Sequence, residues 1–238
     1  MCRVTTNWCY RVSQLLVRLI LAPFVRIHVW HAPGASGEEP TGATILVSNH
    51  ISHFDPPVFT ATFRRPIDWM TTQEFYGNRL VAAWLHSVNT FPVDRSRPDR
   101  RALRLGVERL RAGRLIGVFP EGGIRAGETS ILGGAEPKGG ATTLARLGGA
   151  PIVPCILFGS DRLYDAKRWR PWARRTPVWL AIGPPISVAG LSGEAADTKL
   201  VAAMRELGAQ AVAHFGLEPD DLPMTPQRRK GRDAQVAN

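Results

Sequence analysis

From residue 43 onward the chain repeats a pattern compatible with few folds: short apolar, β-prone runs alternate with longer stretches of helical period. The strand-like runs are 43–47, 67–71, 90–93, 115–119, 152–158 and 178–182. The helix-like runs are 56–63, 79–87, 100–111, 140–147 and 195–215. Strands alternating with helices predict an α/β fold, a single layered domain with a mainly parallel central sheet flanked by helices. Leu103, Val107 and Leu110 form one helical stripe, and Leu200, Met204, Leu207 and Ala211 another, as core-facing sides require. At 238 residues the chain is long enough to bury such a core.

Residues 31–42, HAPGASGEEPTG, are a turn-rich break. The α/β body is therefore expected over 43–218, followed at 223–238 by a polar, basic tail whose composition predicts disorder. Residues 1–32 are of another kind. The stretch WCYRVSQLLVRLILAPFVRIHVW (8–30) is strongly apolar, but Arg11, Arg18 and Arg26 interrupt it and Pro23 would kink a helix. It falls short of the ~20 apolar residues of a spanning helix, and it lacks the clean apolar core and cleavage site of a signal peptide. On a helix the three arginines share one side, opposite Leu15, Leu16, Leu19 and Ile20, with Trp8, Tyr10 and Trp30 near the ends. This pattern predicts an amphipathic, membrane-associated helix lying in the interface. Packing on the protein's own core is the competing expectation.

Charge narrows the partners. Lys and Arg number 30 against 20 Asp and Glu, a net charge of +10, which implies an anionic partner: nucleic acid, phospholipid head groups or a phosphorylated small molecule. The arginines cluster beside loops that carry other chemistry, and no recognised nucleic-acid motif appears. Nucleic acid is therefore not the expected partner, and a basic nucleic-acid-binding protein stays as the alternative of a different class. Cys2, Cys9 and Cys155 form no CxxC pair and no disulfide framework, which points to a reducing compartment and away from structural zinc.

The stretch ATILVSNHISHFDPPV (43–58) begins as a buried strand and ends in a crowd of polar residues. Ligands of open α/β sheets sit beyond the carboxyl ends of strands, where His50 falls. Histidine is the natural general base near neutral pH, and Asp55 could fix its tautomer if a turn brings them together. Asp55 before Pro56-Pro57 is equally a good helix N-cap. His50, His53 and Asp55 could in principle ligate a metal, but no second ligand cluster accompanies them. No GxSxG elbow is present, and FGSDR (158–162) lacks its glycine pattern. Further along, FPVDRSRPDRRALRLGVERLR places Arg95 after a strand-like run, and residues 95–111 hold seven arginines against Asp99 and Glu108. GVFPEGGIR sets Glu121 and two glycines at another strand end, and GGAEPKGGATTLARLGG sets Lys138 and a glycine pair before a helix.

In chain order these stretches resemble the motif blocks of the PlsC-type glycerolipid acyltransferases, whose best-known activity is acylation of lysophosphatidate. NHISHFD resembles the NHxxxxD block with His50 and Asp55, and FPVDRS the second block with Arg95. FPEGGIR resembles the third, usually FPEGTR, and APIVPCIL (150–157) the fourth, a proline-bearing hydrophobic strand. PKGGATTLAR is similar to the lysine–glycine segment that follows the third block. One departure stands out: Gly123-Ile124 replace the usual Thr-Arg, and the arginine comes one position later as Arg125.

The resemblance implies direct acyl transfer from acyl-CoA or acyl-carrier protein to the hydroxyl of a lysophosphatidate, without an acyl-enzyme. It implies His50 as the base, oriented by Asp55, with Arg95 on the acceptor phosphate. Glu121, Gly122 and Gly123 would shape the acceptor site, the Gly122 backbone helping to stabilise developing negative charge. Arg125 or Lys138 would be a further phosphate contact. No cofactor and no metal are called for. The expected partners are membrane phospholipids, the acyl donor and a lysophospholipid acceptor, at the cytoplasmic face of a membrane. Glycerol 3-phosphate, another lysophospholipid or a lyso-aminolipid are alternative acceptors. The segment RLYDAKRWRPWARR (162–175), with six basic residues, Tyr164, Trp169 and Trp172, suits head groups or an acidic carrier.

Overall fold

Period-two alternation in the strands decides the layering. Ile45, Val47, Ile116 and Ile156 face one cluster of buried residues, while Leu46, Leu115, Val153 and Leu157 face a second on the opposite side. The computed structural model describes residues 7–96, 98–170 and 174–224. Trp172 and residues 225–238 of the expected disordered tail lie outside the described residues.

The elements run α1 (Asn7–Leu21), β1 (Val25–His31), β2 (Thr44–Ser48), α2 (Asp55–Thr62), β3 (Ile67–Thr72), α3 (Arg79–Ser87) and β4 (Phe91–Val93). They continue α4 (Arg100–Arg111), β5 (Leu115–Val118), α5 (Gly140–Gly148), β6 (Ile152–Phe158), β7 (Thr176–Ile182) and α6 (Gly193–Phe215). One seven-stranded sheet results, in the order β1-β7-β6-β2-β5-β3-β4. All neighbours are parallel except β6 and β7. The connection from β6 to β7 carries only short 3₁₀ turns among its described residues, and without a helical crossover the chain returns antiparallel. Helices α4, α5 and α6 cover one side through Leu110, Leu144, Leu200 and Met204; α2 covers the other through Val58, Phe59 and Phe63. The fold class is the expected one.

Two expectations for the N-terminus change. Helix α1 ends at Leu21, before Pro23, and residues 25–31 are strand β1, paired to β7 from Val25–Thr176 to His31–Ile182. VRIHVWH has a two-residue period that a purely helical interpretation of 8–30 overlooks. Arg26 therefore leaves the proposed basic stripe, and the sheet includes residues upstream of 43. Arg18 is displaced from its expected role as well: it donates through Nε to Ala61 O (2.9 Å) and through Nη2 to Phe63 O (3.2 Å). Gln14 Nε2 donates to Thr60 O and Phe63 O at 3.0 and 2.6 Å, and Tyr10 Oη accepts the Ile67 N–H at 3.0 Å. The polar side of α1 thus satisfies carbonyls at the end of α2 that a helix leaves unpaired. Its apolar side (Trp8, Val12, Leu15, Leu16, Leu19 and Ile20) is turned outward and exposed. Among the described residues no helix is long and apolar enough to cross a membrane.

The amino end of the sheet is held by charge. Asp68 on β3 is fully buried; Arg114 grips its two oxygens at 2.5 Å each, and Arg109 Nη1 adds a contact at 2.8 Å. Arg109 also lies over the Phe91 ring at 4.6 Å, tying α4 to the β3–β4 edge. Asp68→Ala leaves two largely buried guanidinium groups without their carboxylate, so urea denaturation should show a loss of about 3–5 kcal/mol.

Candidate active site

Strands β2, β5, β3 and β4 are parallel, and β6 runs parallel to β2, so their carboxyl ends open on one edge of the sheet. Just beyond β2, Asn49 mimics a strand residue: its amide donates to Leu157 O (2.9 Å) and accepts from Leu157 N–H (2.8 Å). That pair extends the β2–β6 ladder and aims the next residue, His50, off the strand end.

His50 Nδ1–H donates to Asp55 Oδ2 at 2.8 Å, the turn bridging five residues as the chemistry required. The same oxygen accepts the N–H groups of Ile51 (2.8 Å) and Ser52 (3.0 Å), while Oδ1 accepts the Ser160 hydroxyl at 2.5 Å. Asp55 and Ser160 are both fully buried. Four donors compensate a carboxylate that burial would otherwise disfavour. Asp55 is not the helix cap. It is the first residue of α2, Phe54 holds the cap position, and the carboxylate turns back to the preceding loop. Ser52 Oγ accepts Phe54 N–H at 2.8 Å and supports that turn. His53 is exposed and pairs with Tyr164 Oη, away from Asp55. Among the described residues no three His, Cys, Asp or Glu side chains are grouped to hold a metal ion.

An aromatic column fixes the imidazole plane. His50 stacks on Phe119 (4.1 Å, 13°) and Phe119 on Trp69 (4.7 Å, 9°). Trp69 lies across Gly117 of β5, where a Cβ would stand 2.4 Å from the indole. With Nδ1 committed to Asp55, Nε2 is the nitrogen left to face an acceptor.

Glu121 holds the site from behind. Its Oε2 accepts the His50 N–H at 2.8 Å and its Oε1 the Ile131 N–H at 2.9 Å, joining the β2 end to the loop after β5. Burial pushes its carboxyl up to about 7 although both N–H donors favour the charged form. Gly122 has φ 66°, a left-handed conformation, and a Cβ there would stand 2.6 Å from the Lys138 stem. Its N–H donates to Phe119 O at 3.1 Å. Its carbonyl accepts from Arg95 Nη1 at 3.4 Å. Arg95 and Lys138 thereby meet at Gly122, lining one cavity of about 570 Å³ with Val93, Phe119 and Pro120. Partial burial lowers the Arg95 pKa, against the opposing charge of Glu74. Gly123 and Arg125 do not line this cavity. Arg125 is exposed, and its contribution is a backbone N–H to His50 O at 2.8 Å. The structure thus brings together His50, Asp55, Glu121 and, next to them, Arg95, Gly122 and Lys138.

Ser160, Phe119 and Trp69 escaped the sequence analysis. Ser160 did have a signal: it follows Gly159 at the carboxyl end of a buried strand, the same kind of position as His50.

The Acyltransferase family model matches residues 34–157, more than half of the chain, and the chain belongs to that family. Its relatives are of the PlsC type. A 1-acyl-sn-glycerol-3-phosphate acyltransferase of Bacillus subtilis is 28% identical over 156 residues, 66% of this chain and 72% of that one. The Streptococcus pneumoniae protein of the same name is 27% identical over 117 residues, 48% of this chain and 41% of that one. The crystal structure of PlsC from Thermotoga maritima shares the fold, with a TM-score of 0.61 at 22% identity, covering 84% of this chain and 80% of that one. The protein is an O-acyltransferase.

Two outcomes follow from the geometry. Glu121 keeps its proton in the folded state to about pH 7 but loses it near 4.5 when unfolded. Between those values the folded state binds more protons, so the Glu121 contribution to stability is present below about 4.5 and lost as pH rises through about 7. The stability difference between wild type and Glu121→Gln, measured by urea denaturation, should shrink across that window. Ser160→Ala removes one charge-assisted hydrogen bond to Asp55. It should lower kcat about tenfold while the acceptor KM stays within about twofold.

Proposed function

We propose that the protein transfers a fatty acyl group from acyl-CoA or acyl-carrier protein to the free hydroxyl of a lysophosphatidate, yielding phosphatidate. The observation that carries this is the cavity in which Arg95 and Lys138 converge, beside a His50–Asp55 pair with one imidazole nitrogen free for chemistry. Two cations at one concave site suit a phosphate monoester, and the guanidinium can bind it through two oxygens. The relatives from B. subtilis and S. pneumoniae are 1-acyl-sn-glycerol-3-phosphate acyltransferases, which supports the same acceptor.

His50 Nε2 takes the proton of the acceptor hydroxyl as its oxygen attacks the thioester carbonyl, while Asp55 stabilises the imidazolium. The tetrahedral intermediate collapses, the carbon–sulfur bond breaks, and the thiolate takes the proton from His50. The aromatic column keeps the ring in plane throughout, and Glu121 holds its backbone. Arg95, with Lys138, positions the acceptor phosphate so that a two-substrate reaction occurs at fixed geometry.

The outward apolar side of α1 supports a membrane location for this chemistry, a helix resting in one leaflet where lipid acceptors can enter without leaving the bilayer; the cytoplasmic side is part of the proposal. Purified protein should acylate lysophosphatidate presented in mixed micelles, the product being read by mass spectrometry. His50→Ala should cost about 10²–10⁴ in kcat. Arg95→Ala should raise the KM for lysophosphatidate about 10–100-fold and leave a monoacylglycerol acceptor unaffected. Near-wild-type turnover in folded His50→Ala would remove the assignment.

A further inference from the structure

Helix α3 is nearly bare. Its sequence, RLVAAWLHS, is apolar from Leu80 to Leu85, yet Leu85 is its single buried side chain. Leu80 is 83% and Trp84 58% exposed, and Phe75 in the preceding 3₁₀ turn is 51% exposed. A nine-residue helix has little stability of its own in water, and helices of this length form because an apolar side is buried. Asn78 caps its start through Leu80 N–H and Val81 N–H, but a cap does not account for the unburied leucine and tryptophan.

The topology sets which side of the sheet it lies on. The chain steps from β2 to β3 through α2, then from β3 to β4 through α3, in the same direction along the sheet. Right-handed crossovers then lay α2 and α3 on one side, the side on which α1 packs against α2. Residue parity agrees. One position before the Met70–Phe91 pair, Trp69 meets Phe59 of α2, and Thr90 bonds Tyr76 Oη and Leu85 O at the start and end of the α3 region. Two helices distant in sequence therefore expose large apolar side chains from the same side of one sheet. Both also carry an exposed arginine near their first turns, Arg11 on α1 and Arg79 on α3.

We propose that α3, with Phe75, is a second membrane-contact element. It would insert Phe75, Leu80 and Trp84 among the acyl chains of the same anionic leaflet that receives α1. The occupant is a bilayer and not another protein, for three reasons. The exposed apolar groups lie on two separate helices, as a broad apolar medium requires. Arg11 and Arg79 at the rim suit the head-group region, and the protein's charge of +10 matches an anionic surface. The placement also concerns the site. Helix α3 begins past the carboxyl end of β3 and leads into β4, beyond which Arg95 lines the phosphate cavity. A membrane seated on α3 would deliver an acceptor's head group to the mouth of that cavity. This inference rests on the proposed lipid acceptor, and its test keeps the two apart.

The full chain would be titrated with vesicles of phosphatidylcholine containing phosphatidylglycerol, comparing wild type with L80E/W84E by sedimentation. The double variant should bind at least about tenfold more weakly. Its turnover on a water-soluble short-chain lysophosphatidate should stay within about twofold of wild type. Trp84→Phe, a mild substitution, serves as a second reading: vesicles with brominated acyl chains should quench tryptophan emission less in it than in wild type. Unchanged vesicle affinity of folded L80E/W84E, or equal quenching in Trp84→Phe, overturns the proposal. A wild-type dimer that L80E/W84E converts to monomer with vesicle binding intact overturns it too, in favour of self-association. If wild type binds vesicles through α3 but acylates no acceptor, the functional proposal fails and this one stands.

Discussion

The buried carboxylate of Asp55 is the point on which the catalytic edge depends. A fully buried carboxylate survives only if its lone pairs are met, and here the donors come from three parts of the chain: the end of β2, the following turn, and Ser160 beyond β6. Satisfying them fixes where β2 stops, how the loop reverses and where α2 begins. Helix α2 then presents its last carbonyls to the polar side of α1, which leaves the apolar side of α1 facing out. One electrostatic requirement in the interior thus propagates to the surface that would meet lipid.

Around that point, chemistry and support are divided among residues that look alike in a motif. His50 and Asp55 are the proposed reactive pair, whereas Glu121 accepts two backbone N–H groups. Its carboxylate joins two loops that carry the site. The glycines divide similarly. Gly117 makes room for the indole beneath Phe119, and Gly122 makes room for the Lys138 stem, so that cation approaches Arg95. The shifted arginine of the third block follows the same logic. With Lys138 lying over Gly122, the cavity has its second cation, and Arg125 contributes backbone to His50 while its side chain remains in solvent.

Much of this was legible in the sequence. Six of the seven strands and five of the six helices fall within a few residues of the expected runs, because their side chains alternate or repeat cleanly against a two-sided core. The sixth helix, α1, was expected as amphipathic but too long. Strand β1 was missed because VRIHVWH mixes apolar and basic residues in a way that suits either period, and only the presence of β7 makes it an edge strand. His50, Asp55 and Arg95 were visible as candidates from their residue types near strand ends. The roles of Ser160 and the aromatic column were not: Ser160 had its strand-end position as a signal, but the partners that define these roles lie far away in the chain.

The sequence by itself determined the layered α/β class and the order of the elements, and its motif blocks, by their resemblance to the PlsC-type family, pointed to the groups of the site. Class and order depend on local period, which is short-range. Tertiary structure decided which way each group faces. It turned Arg18 of α1 inward and Leu15, Leu16 and Leu19 outward, gave Glu121 to backbone and Lys138 to the cavity, and left Leu80 and Trp84 of α3 exposed. Each of those outcomes is set by which hydrogen-bonding groups remain unpaired once the sheet has assembled, and that is a property of the whole fold.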